Sequence, residues 1–235
     1  GVLVVDNVAA GQTPGDLVAA STLTLRGFLR LGAATLRLGS YTLDAVGGSN
    51  GTAIEGGRIV SDGGTLHLMP YPTQDYLAAL GGVRFEGTVT LDGIVVMGEG
   101  NVFNGALTVA AGAQVKRAGG YGGEWPVVVQ GALTNLGTIG PAIDYNKNVA
   151  MVLGSDLVND GAYAPAVTRF VGPGLHGIVS PNHRLGGSLE LESPATPLAE
   201  VRFTRPFGGV VTRDFLLAEA SASGTGLDSV RIVGA

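Results

Sequence analysis

The sequence predicts an all-β fold: one domain, residues 1–235, wound as a right-handed parallel β-helix (β-solenoid) with loop insertions. Three observations predict it: a short strand phrase restated between glycines, a hydrophobic period of two, and phrase spacings that suit one coil each. The phrases are Gly27-Phe-Leu-Arg-Leu-Gly32, Gly87-Thr-Val-Thr-Leu-Asp-Gly93, Gly105-Ala-Leu-Thr-Val-Ala-Ala-Gly112, Gly131-Ala-Leu-Thr-Asn-Leu-Gly137 and Gly154-Ser-Asp-Leu-Val-Asn-Asp-Gly161. Each is too small to bury a core alone. Stacked on its neighbours, it contributes to one continuous interior. The handedness follows from the usual crossover preference of parallel strands.

Residues 1–20 read as an N-terminal strand, beginning at Val2-Leu-Val-Val5, and a loop. Residues 21–180 read as core coils. There Leu23 and Leu25 flank Thr24, Leu36 and Leu38 flank Arg37, Leu66 and Leu68 flank His67, and Val83 and Phe85 flank Arg84. Val89 and Leu91 flank Thr90, and Leu107 and Val109 flank Thr108. Alternate side chains of a strand face opposite sides, so the apolar set points inward and the polar set outward. Gly87 to Gly105 is 18 residues, Gly105 to Gly131 is 26 and Gly131 to Gly154 is 23. A coil of two or three short strands with tight turns takes about that many. About ten coils at ~4.8 Å each would make a rod about 50 Å long.

Thr73–Leu80, closed by Gly81-Gly82, reads as a short helical turn inserted between coils. Loops are expected at 47–57, 70–82, 118–126, 140–148 and 172–187, with Tyr121, Trp125 and Tyr145 in or beside them. Binding surfaces on a solenoid belong in such excursions. Residues 181–235 read as less regular C-terminal coils, where Leu189 and Leu191, Val201 and Phe203, and Val230 and Ile232 keep the alternation. The runner-up fold is a β-sandwich. It requires Asn50-Gly51 and Asn104-Gly105 to close hairpins rather than to turn corners within a coil.

Composition narrows the interior and the partners. Glycine is 40 of 235 residues, and 45% of the chain is hydrophobic but only 6% aromatic. The core must therefore be built from Leu, Val, Ile and Ala, with little room for rings. Net charge is −5, and the only basic cluster is Lys116-Arg117, which argues against nucleic acid. No cysteine is present, so disulfides and thiolate metal sites are excluded. No apolar segment approaches ~18 residues, so no membrane span is expected. The start, Gly1-Val-Leu-Val-Val-Asp6, lacks the charged region of a signal peptide; an exported protein would present here a mature form or an excised piece.

The phrase Gly131-Ala-Leu-Thr-Asn-Leu-Gly-Thr-Ile139 resembles the "G-x-L-T-N-x-G-T-I" segments of glycine-rich parallel β-solenoids in bacterial secreted and surface proteins. Asp156-Leu-Val-Asn-Asp-Gly-Ala-Tyr163 and Ala34-Thr-Leu-Arg-Leu-Gly-Ser-Tyr-Thr-Leu43 match more loosely. The resemblance covers most of residues 20–180 and implies an extracellular or cell-surface protein: an adhesin, an autotransporter-like passenger or a filament subunit. Polysaccharide-active enzymes share such coils, so the likeness leaves activity open.

Candidate sites are few. Gly174-Leu-His-Gly177 resembles the "G-H-G" fragment of polygalacturonases, but a Leu interrupts it and the companion acidic motif is missing, so His176 is expected to be an exposed loop histidine. His183-Arg184 reads as a solvated turn. An outward His67 between Leu66 and Leu68 could line a sugar groove with Arg84 and Asp92, weighed against an ordinary surface histidine. A structural Ca²⁺ has two candidate clusters, Asp6, Asn7 and Asp16, and Asp156, Asn159 and Asp160; such residues in turns ordinarily serve backbone hydrogen bonds. Thr24, Thr90, Thr108 and Thr134 are expected to form an outward column. Ice-binding solenoids use wide Thr-x-Thr arrays, which Arg26, Arg37 and Arg84 would interrupt. Asn50-Gly51-Thr52 fits a glycosylation acceptor.

These observations lead to no catalytic, cofactor-binding or metal residues, and to a structural or adhesive function. The strands Val2, Leu3, Val4, Val5 and Val230, Ile232, Val233 carry no obvious cap. They are the expected interface for end-to-end self-association into an extracellular filament or stalk. The alternative is a polysaccharide-active enzyme or a sugar-binding module, with a polysaccharide or cell surface as partner.

Overall fold

A computed structural model describes residues 2–4, 15–45, 53–61, 65–68, 80–117, 126–140, 149–171, 175–180, 187–192, 200–204 and 227–233. The strands are β1 (Val2–Val4), β2 (Asp16–Val18), β3 (Leu23–Leu25), β4 (Phe28–Arg37), β5 (Thr42–Ala45), β6 (Ala53–Val60), β7 (Thr65–Leu68), β8 (Leu80–Gly81), β9 (Arg84–Glu86), β10 (Val89–Leu91), β11 (Ile94–Met97), β12 (Val102–Phe103) and β13 (Leu107–Val109). They continue as β14 (Gln114–Arg117), β15 (Pro126–Val129), β16 (Leu133–Asn135), β17 (Thr138–Ile139), β18 (Ala150–Leu153), β19 (Leu157–Asn159), β20 (Ala162–Tyr163), β21 (Val167–Val171), β22 (Leu175–Val179), β23 (Gly187–Glu192), β24 (Glu200–Thr204) and β25 (Leu227–Val233). No helix occurs among the described residues.

Every strand pair is parallel. The sandwich alternative therefore fails, because hairpins are antiparallel. Asn104-Gly105 turns the corner from β12 to β13; Asn50-Gly51 lies outside the described residues. The chain winds over three faces in turn. The first face is a nine-stranded sheet, β3-β5-β7-β10-β13-β16-β19-β22-β24. The second runs β8-β11-β14-β17-β20, and the third β9-β12-β15-β18-β21-β23-β25. The last two merge at β6, whose Ile54 and Glu55 pair with β8 while Arg58–Val60 pair with β9.

Five consecutive turns, β7–β9 through β19–β21, carry a separate strand on each face. The third face alone continues to ten rungs among the described residues, from β2 to β25. Towards the N-terminus, β4 and β6 each bend across two faces as one strand, and beyond β20 the second face has no strand among the described residues.

The interior is built in columns. On the third face Leu17, Leu36, Ile59, Phe85, Phe103, Val129, Leu153 and Phe170 stand level on successive rungs. On the first face Leu107, Leu133, Leu157 and Ile178 do the same. The flanking pairs read from alternation are buried at Leu36 and Leu38, Val83 and Phe85, Val89 and Leu91, and Leu107 and Val109. Each such aliphatic side chain removed from water contributes about 1.5–3 kcal/mol.

Rings are not excluded as composition predicts: Phe85, Phe103, Phe170 and Tyr163 are all buried. Phe85 and Phe103 lie flat on one another, centroids 4.7 Å apart and planes 8° apart. A stacked pair fits the ~4.8 Å rung spacing, so a flat ring needs little more height than a leucine.

Two further expectations change. The expected 172–187 loop contains β22, because His176 and Ile178 alternate inward around Gly177. Three of the other expected loops are shortened, by β6 (from Ala53), β8 and β15 (from Pro126). Residues 73–79 of the expected helical turn lie outside the described residues, and Leu80 belongs to β8.

The repeated phrase has a steric cause. In four of the phrases the first glycine (Gly87, Gly105, Gly131 or Gly154) stands at the corner from the third face to the first, where coils pack closely, whereas Gly27 follows β3 on the first face. A Cβ on Gly105 would lie 2.0 Å from the Gly87 carbonyl oxygen, and one on Gly131 2.5 Å from Gly105. In Gly131–Ile139, Leu133 and Ile139 face the core, Asn135 is buried and Thr134 is half-buried. Gly137 packs on the Ala110 and Ala113 carbonyls. Gly105→Ala is expected to destabilise the fold by about 1–3 kcal/mol in urea denaturation, as overpacking does. Gly81→Ala, where a Cβ would meet nothing within 4 Å, should change stability by no more than about 0.5 kcal/mol.

Candidate functional site

The outward side chains also stack in columns, and their pairing defines the chemistry of the rod. On the first face Thr90, Thr108 and Thr134 stand level on three successive rungs. Thr24 occupies the same column but is separated from them by Asp44 and His67. The arginines expected to interrupt this face do not: Arg37 and Arg84 belong to the third face, and Arg26 follows β3 at the N-terminal end. Width is what limits the array. A three-residue strand presents one outward residue, and Ala106, Ala110 and Ala132 flank the threonines.

His67 does not form a groove with Arg84 and Asp92. Its Nδ1 lies 3.1 Å from Asp44 Oδ1 on the adjoining rung. Arg84 is level with Arg58 and Val102 on another face. Asp92 Oδ1 accepts a hydrogen bond from the Gly93 amide at 2.8 Å.

Other outward charges are paired across rungs as well. Arg30 meets Glu55 at 2.9 Å, Arg37 meets Asp16 at 2.7 Å and Arg58 meets Glu86 at 3.2 Å. Asn104 donates to the same Glu86 oxygen at 2.7 Å. These pairs are exposed and individually weak. Their effect is on register, because a slipped rung would set charges against apolar or like-charged neighbours.

His176 departs most from expectation. It is no exposed loop histidine but an inward residue of β22, 2% exposed, with its ring centroid 5.4 Å from that of Phe170. The missed signal is the alternation Leu175-His-Gly-Ile-Val179. His183 and Arg184 lie outside the described residues, as do Tyr121, Trp125, Tyr145 and Asn50-Gly51-Thr52.

Of the Ca²⁺ candidates, the described residues are Asp16, Asp156, Asn159 and Asp160. Asp16 is engaged by Arg37, while Asp6 and Asn7 lie outside the described residues. Asp156 accepts a hydrogen bond from the Gly177 amide at 2.7 Å, and Asp160 is exposed, but Asn159 is fully buried. Among the described residues no group of three or more His, Cys, Asp or Glu is placed to hold a metal ion.

Polar groups inside the rod bind coil to coil. Asn135 Nδ2 donates to Asn159 Oδ1 at 2.8 Å and to the Ala162 carbonyl at 3.1 Å, and Asn159 Nδ2 donates to Ser180 Oγ at 3.1 Å. Asn101, also fully buried, accepts from the Val83 amide at 3.2 Å and donates to the Leu80 and Gly98 carbonyls, each at 3.0 Å. Within a single turn, Tyr163 hydrogen-bonds Thr168 at 2.9 Å. Burial pushes its phenol pKa well above the ordinary value, and the Thr168 bond only partly opposes this. These side chains are interior cross-ties rather than surfaces that a ligand reaches. Among the described residues, no helix is long and apolar enough to cross a membrane.

Asn101→Ala strands the Val83 amide and the Gly98 carbonyl, while the Leu80 carbonyl keeps its bond from the Gly98 amide at 2.6 Å. It is expected to cost at least about 2 kcal/mol in equilibrium unfolding, several times an exposed substitution such as Thr108→Ala.

Comparison with protein-family profiles, with curated proteins and with solved structures finds no match for this chain.

Proposed function

We propose that this chain is a structural rod, a building unit of an extracellular filament or surface stalk that joins end to end. The observation that carries this reading is the pairing of the outermost rungs. Among the described residues β1 and β2 pair only with β4, β3 only with β5, β24 only with β22, and β25 only with β23. Val2, Leu3 and Val4 lie in β1, and Val230, Ile232 and Val233 in β25; Val5 lies outside the described residues. An open strand edge templates a further strand. A contact between unlike ends does not close on itself and so propagates as a fibre.

The paired charges along the sides support the same reading, since Arg30, Arg37 and Arg58 are occupied within the rod. The extracellular setting rests on the likeness of Gly131–Ile139 to secreted solenoids. A sugar-binding module is the second reading. It is favoured by the polar column of Asp44, His67, Thr90, Thr108 and Thr134 on one face.

Purified protein is expected to form unbranched filaments of uniform width by negative-stain electron microscopy, with mass rising with concentration in sedimentation velocity. A monodisperse monomer at high concentration would refute the filament. Incubation with acidic and neutral polysaccharides separates the second reading. Saturable binding lost on Thr108→Arg, without filaments, would establish the module instead. His176→Ala is expected to lower the melting temperature, since it empties a buried position beside Phe170.

A further inference from the structure

We propose that the first face binds an extended polysaccharide that carries free amino groups. The sugar chain lies along the stack, with its hydroxyls on Thr90, Thr108 and Thr134 and its ammonium groups at Asp92 and Asp160. This rests on the sugar-binding reading above and deepens it by naming the class of sugar.

Two columns make the surface. Thr90, Thr108, Thr134 and Val158 stand level on the rungs of β10, β13, β16 and β19. Asp92, Ala110, Leu136 and Asp160 stand at the C-terminal ends of the same four rungs, each following a buried member of a level set: Leu91, Val109, Asn135 and Asn159. Asp92, Leu136, Val158 and Asp160 are all exposed. Hydroxyls thus fill most of one column, and two carboxylates bracket an apolar stretch in the other.

Charge decides what such a surface takes. On the other faces Asp16, Glu55 and Glu86 are each held by an arginine. The first-face strands from β5 to β19 contain no lysine or arginine. Asp92 and Asp160 make no ion pair among the described residues, and Asp92 accepts a hydrogen bond from the amide of its neighbour Gly93. Two uncompensated carboxylates three rungs apart, about 14 Å, suit an extended polycation better than a single ion. Spacing selects the polymer. One pyranose ring is about as long as a rung is high, ~4.8 Å, whereas an extended peptide advances about 3.3 Å per residue and falls out of step. Threonine hydroxyls both donate and accept, as sugar hydroxyls do, and Leu136 offers an apolar seat for the C–H face of a ring. Exposed ion pairs are individually weak, so several rings must engage together.

Fluorescence anisotropy of a labelled, β-linked glucosamine hexamer titrated with the full chain tests this. Saturable binding is expected, weakened several-fold by high salt. The fully N-acetylated hexamer, which lacks the charges, is expected to bind several-fold more weakly. Asp92→Asn with Asp160→Asn should weaken the glucosamine hexamer to the level of its acetylated counterpart; asparagine at position 92 can still accept from the Gly93 amide. Glu55→Gln with Glu99→Gln removes as much charge from outside this face and should leave binding unchanged. Thermal melting verifies that the variants fold.

Equal binding of the two hexamers, or binding untouched by the aspartate changes, overturns the role of the amino groups and leaves the sugar-binding reading standing. Equally tight binding of an oligolysine of the same charge overturns the choice of a sugar. A glucosamine hexamer that does not bind overturns the proposal outright. The sugar-binding reading falls with it only if the acidic and neutral polysaccharides also fail to bind.

Discussion

Each rung of this rod must accept the rung beneath it at a separation of about 4.8 Å, and every column of side chains answers to that constraint. Aliphatic residues meet it readily, so Leu107, Leu133 and Leu157 follow one another. Rings meet it by lying flat, as Phe85 does on Phe103. Amides meet it by donating to the next amide, as Asn135 does to Asn159. Corners meet it with glycine, because two backbones that touch leave no room for a Cβ. Like charges meet it least well, and the rod accommodates them with diagonal partners: Arg58 is level with Arg84 but bonds Glu86.

The same constraint shapes what the molecule offers to others. Polar side chains inside are consumed in ties between coils, and several of those outside are consumed in ion pairs between rungs. The side faces thereby become repetitive and largely self-satisfied. The outermost rungs differ in that, among the described residues, each pairs on one side alone.

Much of this was legible in the residues themselves. Period-two alternation placed Leu36, Leu38, Val83, Phe85, Val89, Leu91, Leu107 and Val109 inside, and all are buried. The column of Thr90, Thr108 and Thr134 was visible because each threonine sits at the centre of a similar phrase. His176 was misread as a loop residue because its strand contains a glycine and borders residues rich in Gly and Pro, which locally outweigh a five-residue alternation. The supposed groove of His67, Arg84 and Asp92 failed for another reason. Alternation says only that a residue points outward, and a three-faced coil has three outward directions.

By itself, then, the sequence pointed to strands stacked in parallel, to most of the aliphatic residues that line the interior and to glycines at the corners. Those properties depend on neighbours a few residues away and on sterics that a missing Cβ announces. Only the tertiary structure decided which face each outward residue occupies, that β4 and β6 cross two faces as single strands, and which residues 18 to 26 positions apart become neighbours. The physical reason is that coil lengths vary, so the register between rungs is settled by hydrogen bonding and side-chain fit across the stack and not by any fixed repeat along the chain.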